Sequence, residues 1–89
     1  MRRIARPDAN QGEIVQALRQ VGASVQLLHR VGEGCPDLLV ARAGVNYLLE
    51  VKMPGAELTS DEWRWHMRWP GWVRTVRTVD EALRAIGAV

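Results

Sequence analysis

The chain has 89 residues and a formal net charge of +2, and 47% of its residues are hydrophobic while 25% are charged. This composition is typical of a small soluble globular protein, so we expect residues 1–89 to form a single domain. No apolar run approaches the roughly 20 residues of a membrane span, and the single cysteine, Cys35, excludes an internal disulfide and a cysteine-rich zinc site. The basic residues 1–7 lead into polar residues rather than an apolar signal segment, which favours a cytoplasmic protein.

The first half of the chain predicts one helix and three strands. Apolar residues recur at helical spacing after the candidate N-caps Asp8 and Asn10, and this helix should stop at Gly22. Residues 25–31 are rich in apolar and branched side chains and precede a glycine-rich turn, which is typical of a strand. Two further strands, 38–41 and 45–52, are separated by a short turn and should pair as an antiparallel hairpin.

The second half predicts two helices around one more strand. Residues 59–62 and 78–81 both have the spacing of a capping box, which favours the start of a helix. The first of these helices should run to about residue 69, and the second should end at Gly87. Residues 72–76 predict a fourth strand between them, so the expected order is α-β-β-β-α-β-α.

Three polar side chains converge on the predicted hairpin. Glu50 and Lys52 point to the same side of their strand, because side chains alternate faces. Asp37 begins the neighbouring strand and can lie beside Glu50. Paired carboxylates are ligands for Mg²⁺, and an ammonium group could orient a water molecule or balance charge during phosphodiester hydrolysis. The alternative is a surface ion pair between Glu50 and Lys52, with Asp37 capping a strand.

Lys52 is also the only lysine, since the other basic residues that carry a fixed charge are all arginine. A bias of this kind removes lysine wherever arginine serves equally well, so the retained position is a candidate for chemistry that needs an ammonium group. Survival of one lysine by chance is the alternative.

These motifs resemble a known family. Gly34-Cys35-Pro36-Asp37-Leu38-Leu39-Val40, followed by Leu49-Glu50-Val51-Lys52 and then by Leu58-Thr59 and a helix, resembles the PD-(D/E)XK nucleases. The chain looks most like the stand-alone, phage-type VRR-NUC branch, and the resemblance covers nearly its whole length. It implies an α/β, restriction-endonuclease-like αβββαβ core, in which a mixed sheet is flanked by helices, with a short C-terminal helix.

The resemblance also implies a function for the converging residues. Asp37 and Glu50 would bind Mg²⁺, for which Mn²⁺ can substitute, together with the backbone carbonyl of Val51. Lys52 would assist the attacking water. Glu13 matches a family glutamate on the first helix that could hold a second metal or a metal-bound water, and an exposed charge near the helix start is the equal alternative.

Glu62 departs from the family pattern, because VRR-NUC members usually carry glutamine in the helix after the third strand. Glu62 could face the site from the same side of the helix as Trp65, His66 and Trp69. A helix cap is the alternative. The departure puts in doubt whether this position takes part in catalysis.

The remaining conspicuous residues are aromatic, basic or titratable. Four tryptophans lie between residues 63 and 72, and core packing is favoured over stacking against bases, with Trp63 and Met67 predicted to form a homodimer contact. His29 and His66 are interpreted as structural, and Cys35 as a small buried side chain. Candidate phosphate contacts are Arg2, Arg3, Arg6, Arg30 and Arg42, with a solvated basic tail as the alternative for the first three.

The predicted function is therefore a dimeric, metal-dependent DNA endonuclease that needs no small-molecule cofactor and no membrane. The family resemblance favours resolution of four-way (Holliday) junctions, in the cytoplasm of a bacterial host if a phage encodes the chain. A flap or nicking nuclease is the nearest alternative. A non-catalytic DNA-binding or assembly module of the same fold is the alternative from another class.

Overall fold

The computed structural model describes residues 8–89, so Arg2, Arg3 and Arg6 lie outside the described part of the chain. The elements follow the predicted order, which is confirmed: α1 Gln11–Gln20, β1 Ser24–Leu27, β2 Leu38–Arg42, β3 Val45–Val51, α2 Ser60–Arg68, β4 Arg74–Val76 and α3 Val79–Ala85. None of the helices within these residues is long and apolar enough to cross a membrane.

The four strands form one mixed sheet in the order β1-β2-β3-β4. β2 pairs antiparallel with both β1 and β3, whereas β4 runs parallel to β3. Arg42 pairs with Val45, which leaves Ala43 and Gly44 as a two-residue turn with φ values of 53° and 80°. Positive φ at both positions matches the twist of the two strands and stabilises the predicted hairpin.

The prediction that the first strand extends to residue 31 was wrong, because β1 ends at Leu27. The backbone N–H of Leu28 donates to the carbonyl of Asp37 at 2.7 Å, and the chain then turns, with Val31 N–H donating to the Leu28 carbonyl at 2.9 Å. Gly32, Glu33 and Gly34 all have positive φ. The apolar side chains of this segment thus belong to a loop that leads the chain back to Asp37.

The core lies between one face of the sheet and the helices α1 and α3. It contains buried side chains from both layers: Ile14, Val15, Leu18, Ala23, Leu38, Val40, Leu49, Val51, Val76, Ala82 and Ile86. Because side chains alternate along a strand, Glu50 points away from this core, to the face on which α2 lies. No residue of helix α2 is fully buried.

Gly34 sets how closely the loop before β2 approaches helix α2. Its φ is +81°, and a Cβ added there would collide with the backbone carbonyl of Asp61 in the first turn of α2. Glycine is therefore required twice at this position, once for its backbone conformation and once for the missing side chain.

Gly34→Ala is expected to lower the free energy of unfolding by about 2 kcal/mol or more, because positive φ and the backbone contact both oppose a methyl group. Gly44→Ala is the matched control: its φ is +80° but nothing lies within 4 Å of the added Cβ, so only backbone strain remains. Urea denaturation of both variants measures the difference, and equal losses would contradict a close contact between Gly34 and α2.

Candidate active site

Asp37 and Glu50 meet across the β2–β3 ladder. Leu38 pairs with Leu49, so Asp37, the residue just before β2, lies opposite Glu50 in β3. Oδ2 of Asp37 accepts a hydrogen bond from the backbone N–H of Val51 at 2.8 Å. The backbone carbonyl of Asp37 accepts a hydrogen bond from the N–H of Leu28, so main-chain contacts hold this residue on both sides.

Glu50 is buried, with 1% of its surface exposed. Burial raises the pKa of Glu50 to about 10, together with a hydrogen bond that protonated Glu50 donates to Asp37 and the charges of Asp37 and Glu62, and Lys52 offsets part of this effect. Oε1 of Glu50 is buried without a hydrogen-bond partner. Without a cation, the two carboxyl groups are stable next to each other only if they share a proton.

The carboxyl pair fits a hard divalent cation, because it concentrates oxygen donors and leaves one of them unsatisfied. Within residues 8–89, no three or more His, Cys, Asp or Glu side chains form a ready-made metal cluster. A cation at Asp37 and Glu50 would therefore need donors beyond these two carboxyl groups to complete its shell. Mg²⁺ is typically held in this way, by one or two carboxylates.

Lys52 is buried at the end of β3, and its Nζ lies 2.6 Å from Oε1 of Glu62. Burial lowers the pKa of Lys52, but the hydrogen bond and charge of Glu62 and the charges of Glu50 and Asp8 outweigh burial and raise this pKa above its usual value. Lys52 is therefore a permanent cation at neutral pH. It can donate hydrogen bonds and balance negative charge, and it cannot act as a general base.

Glu62 caps helix α2 and also contacts Lys52. Its Oε1 accepts the backbone N–H of Thr59 at 2.8 Å, and Oγ1 of Thr59 accepts the N–H of Glu62 at 3.2 Å, which completes the capping box. The same Oε1 contacts Lys52. Burial raises the pKa of Glu62, but the hydrogen bonds from Lys52 and Thr59 and the charge of Lys52 lower it overall, so this carboxylate stays ionised.

Glu13 lies on the exposed side of α1, and no hydrogen bond or ion pair among residues 8–89 joins it to the carboxyl pair or to Lys52. Its proposed metal-binding role stays a prediction. Asn10 occupies the N-cap position of α1, as predicted, but its side chain makes no capping hydrogen bond and donates from Nδ2 to the carbonyls of Lys52 at 3.0 Å and Arg77 at 2.8 Å. Asp8, which the sequence analysis considered only as an N-cap, has a negative charge that helps to raise the pKa of Lys52.

His66 was interpreted as structural, yet its Nε2 lies 3.8 Å from Oε1 of Glu50. Burial lowers the pKa of His66, and the charge of Glu62 offsets part of this effect. The signal in the sequence was the spacing of Glu62 and His66, four residues apart on one helix, which places both side chains on the same face.

Three other residues from the sequence analysis have less direct relations to the site. Cys35 is partly exposed, and burial and the charges of Glu50 and Asp37 raise the pKa of its thiol, which disfavours a nucleophilic thiolate. Arg42 donates to the carbonyls of Ile86 and Gly87 beyond the end of α3, at 3.5 and 3.3 Å. Arg30 is exposed.

Comparison with known proteins supports this architecture. No family model matches the sequence, and no curated protein matches it significantly. A solved structure described as "VRR_NUC domain" is similar to the chain, with a TM-score of 0.70 and 27% sequence identity, and the match covers 85% of this chain and 88% of that chain. The resemblance and the fold class expected from the sequence are therefore confirmed.

The burial of Glu50 predicts how stability depends on pH without metal. Between its usual pKa of 4.5 and about 10, Glu50 holds a proton in the folded state but not in the unfolded state. Raising the pH therefore favours unfolding, by at most about 1.4 kcal/mol per pH unit. The range pH 7 to 9 isolates Glu50, because the lowered pKa of His66 acts below 6.5 and the raised pKa of Cys35 acts above 9.0.

Urea denaturation in the presence of a chelator, at pH 7 and pH 9, measures this loss of stability. Glu50→Gln should flatten the pH dependence, whereas the exposed Glu57→Gln should leave it as in the wild type. Equal slopes for all three proteins would show that Glu50 is not the buried acid responsible.

Proposed function

We propose that this chain, a VRR-NUC domain protein of the PD-(D/E)XK superfamily, is a divalent-metal-dependent endonuclease that hydrolyses phosphodiester bonds in DNA. The observation that carries the proposal is the meeting of Asp37 with the buried Glu50, near the positive charge of Lys52. We further propose that residues 1–89 form one nuclease domain that acts in the cytoplasm. If a phage encodes the chain, this is the cytoplasm of the bacterial host.

Asp37 and Glu50 would hold the cation, with the backbone carbonyl of Val51 as a further ligand. Mg²⁺ suits this oxygen-rich set, and Mn²⁺ can replace it. When bound, the cation supplies Lewis acidity and lowers the pKa of a water molecule that attacks the phosphorus. Asp37 contributes orientation as well as charge, because the N–H of Val51 fixes its second oxygen at 2.8 Å.

Lys52 would act as a donor and a charge rather than as a base. Its ammonium group contacts Glu62 and interacts electrostatically with Glu50, and its raised pKa keeps it protonated. A protonated amine at this position orients the attacking water and balances the negative charge that gathers on the phosphate oxygens. Glu62 would be a positioning residue, since its ion pair restricts where the ammonium group can lie. Glu13 stays a candidate for a second metal or a metal-bound water.

Metal-dependent cleavage by the wild type and by Asp37→Ala and Lys52→Ala tests the catalytic proposal. Each variant should lose about 100-fold or more in rate, because each loses a metal ligand or a charge that stabilises the transition state. DNA binding, followed in parallel by fluorescence anisotropy, should persist. Strong binding with no cleavage by the wild type in Mg²⁺ or Mn²⁺ would instead support the non-catalytic DNA-binding or assembly module.

The substrate proposed is a four-way junction cut by a homodimer, with a flap or nicking nuclease as the alternative. Support for the dimer comes from Trp63 and Met67, which are four residues apart on α2 and 56% and 64% exposed. Large apolar side chains with this exposure favour a protein contact. A symmetric dimer would carry two sites, which suits paired nicks. Cleavage of junction, flap, single-stranded and duplex DNA distinguishes these substrates.

The dimer contact gives a separate prediction. Static light scattering should report a dimer for the wild type. The double variant that carries both Trp63→Ala and Met67→Ala should be a monomer. Trp72→Ala, at another exposed tryptophan, is the matched control and should remain dimeric. A wild-type protein that is monomeric at high concentration would remove the homodimer from the proposal.

Glu62→Gln separates positioning of Lys52 from capping of α2. Glutamine can keep the capping-box geometry, so any loss of stability reports the ion pair with Lys52 and not the cap. The loss of the negative charge lowers the pKa of Lys52, and the alkaline fall in cleavage rate should therefore move to lower pH. Thr59→Ala should show the opposite pattern, with about 1 kcal/mol less stability but unchanged turnover per folded molecule. A wild-type pH profile for Glu62→Gln would show that Glu62 is only a cap.

A further inference from the structure

Two buried polar atoms face each other without a partner beside the carboxyl pair. Oε1 of Glu50 and Nε2 of His66 each lack a hydrogen-bond partner, and the two side chains are only 2% and 11% exposed. Their separation of 3.8 Å is too long for a hydrogen bond. Orphaned polar atoms cost stability, and two that face each other indicate a group that binds both.

Helix α2 fixes His66 in this position independently of Glu50. Glu62, one turn earlier, is tied to Thr59 and Lys52, and Gly34 lets the loop before β2 pack on the first turn of the helix. The imidazole also meets the ring of Trp65 edge-on, with centroids 6.1 Å apart. The imidazole nitrogen is therefore held near Glu50 although no direct bond joins them.

We propose that His66 is a further ligand of the cation that Glu50 binds, through Nε2. The inference rests on the proposed metal-dependent function. Bonds from a first-row divalent ion to imidazole nitrogen and carboxylate oxygen are each about 2.0–2.2 Å, so two ligands of one ion lie roughly 3–4 Å apart. The observed 3.8 Å falls within that span. Coordination through Nε2 places the proton of the neutral ring on Nδ1.

An imidazole ligand changes which cation the site prefers. Carboxylates and water alone suit Mg²⁺, whereas a nitrogen donor increases the affinity for first-row transition ions more than the affinity for Mg²⁺. The site would then select Mn²⁺ over Mg²⁺ more strongly than its carboxylates require. Asp37 and Glu50 would supply the charge, and His66 the selectivity.

Pulsed electron paramagnetic resonance of bound Mn²⁺ tests this ligand directly. Wild-type protein loaded with Mn²⁺ should show ¹⁴N modulation from imidazole. Selective ¹⁵N labelling of histidine should replace this signal with a ¹⁵N signal. The chain has two histidines, so His29→Phe is the matched control and should keep the signal. His66→Phe, which retains an aromatic ring beside Trp65, should lose it. Calorimetry should find Mn²⁺ affinity reduced about 10-fold or more in His66→Phe, with Mg²⁺ affinity changed far less.

Each outcome decides the proposal. Mn²⁺ bound without imidazole modulation would mean that water bridges the two atoms, which overturns the inference and leaves the proposed nuclease intact. Loss of the modulation in His29→Phe would also overturn the inference that His66 is a ligand. The His29→Phe measurement decides this even if His66→Phe does not fold. Absence of any Mn²⁺ binding would overturn both proposals, whereas imidazole modulation without DNA cleavage would overturn only the nuclease function.

Discussion

The burial of Glu50 next to Asp37 is the constraint on which the rest of the site depends. A carboxylate removed from water is costly, and a second acid beside it increases the cost. The β2–β3 register imposes this arrangement, because Leu38 and Leu49 both face the core, so Asp37, just before Leu38, and Glu50, just after Leu49, face the other side. The fold thus holds two acids together that would separate if free.

The charged groups near the pair act in opposite directions, because Lys52 lowers the pKa of Glu50 whereas Glu62 raises it. Lys52 places a positive charge beside the pair, and Glu62 keeps Lys52 protonated while capping α2. Removing Glu62 would therefore affect a helix start and the charge of the site together. In the proposed enzyme, a divalent cation would offset the remaining repulsion, so binding of metal and stability of the fold would be linked.

Helix α2 has no fully buried residue, unlike α1 and α3. α2 lies opposite the core formed by α1 and α3, and its contacts with the sheet side are an ion pair, an imidazole and a close backbone approach at Gly34. Trp65 and Trp69 stack on each other, with ring centroids 4.6 Å apart. Helices with few buried apolar residues are the ones that can adjust when a ligand binds.

The sequence by itself determined the order of elements, the β2–β3 hairpin and the shared face of Glu50 and Lys52, because turn chemistry, capping boxes and strand alternation are local rules. Tertiary structure decided the rest. Only the packing of α2 shows that Glu62 serves Lys52 and Thr59 at once and that His66 faces Glu50. Only the docking of α1 shows that Asn10 donates a hydrogen bond to the carbonyl of Lys52, just after β3, while Glu13 stays exposed. These relations depend on how each helix is rotated against the sheet. That rotation is determined by packing between residues that are distant in the sequence.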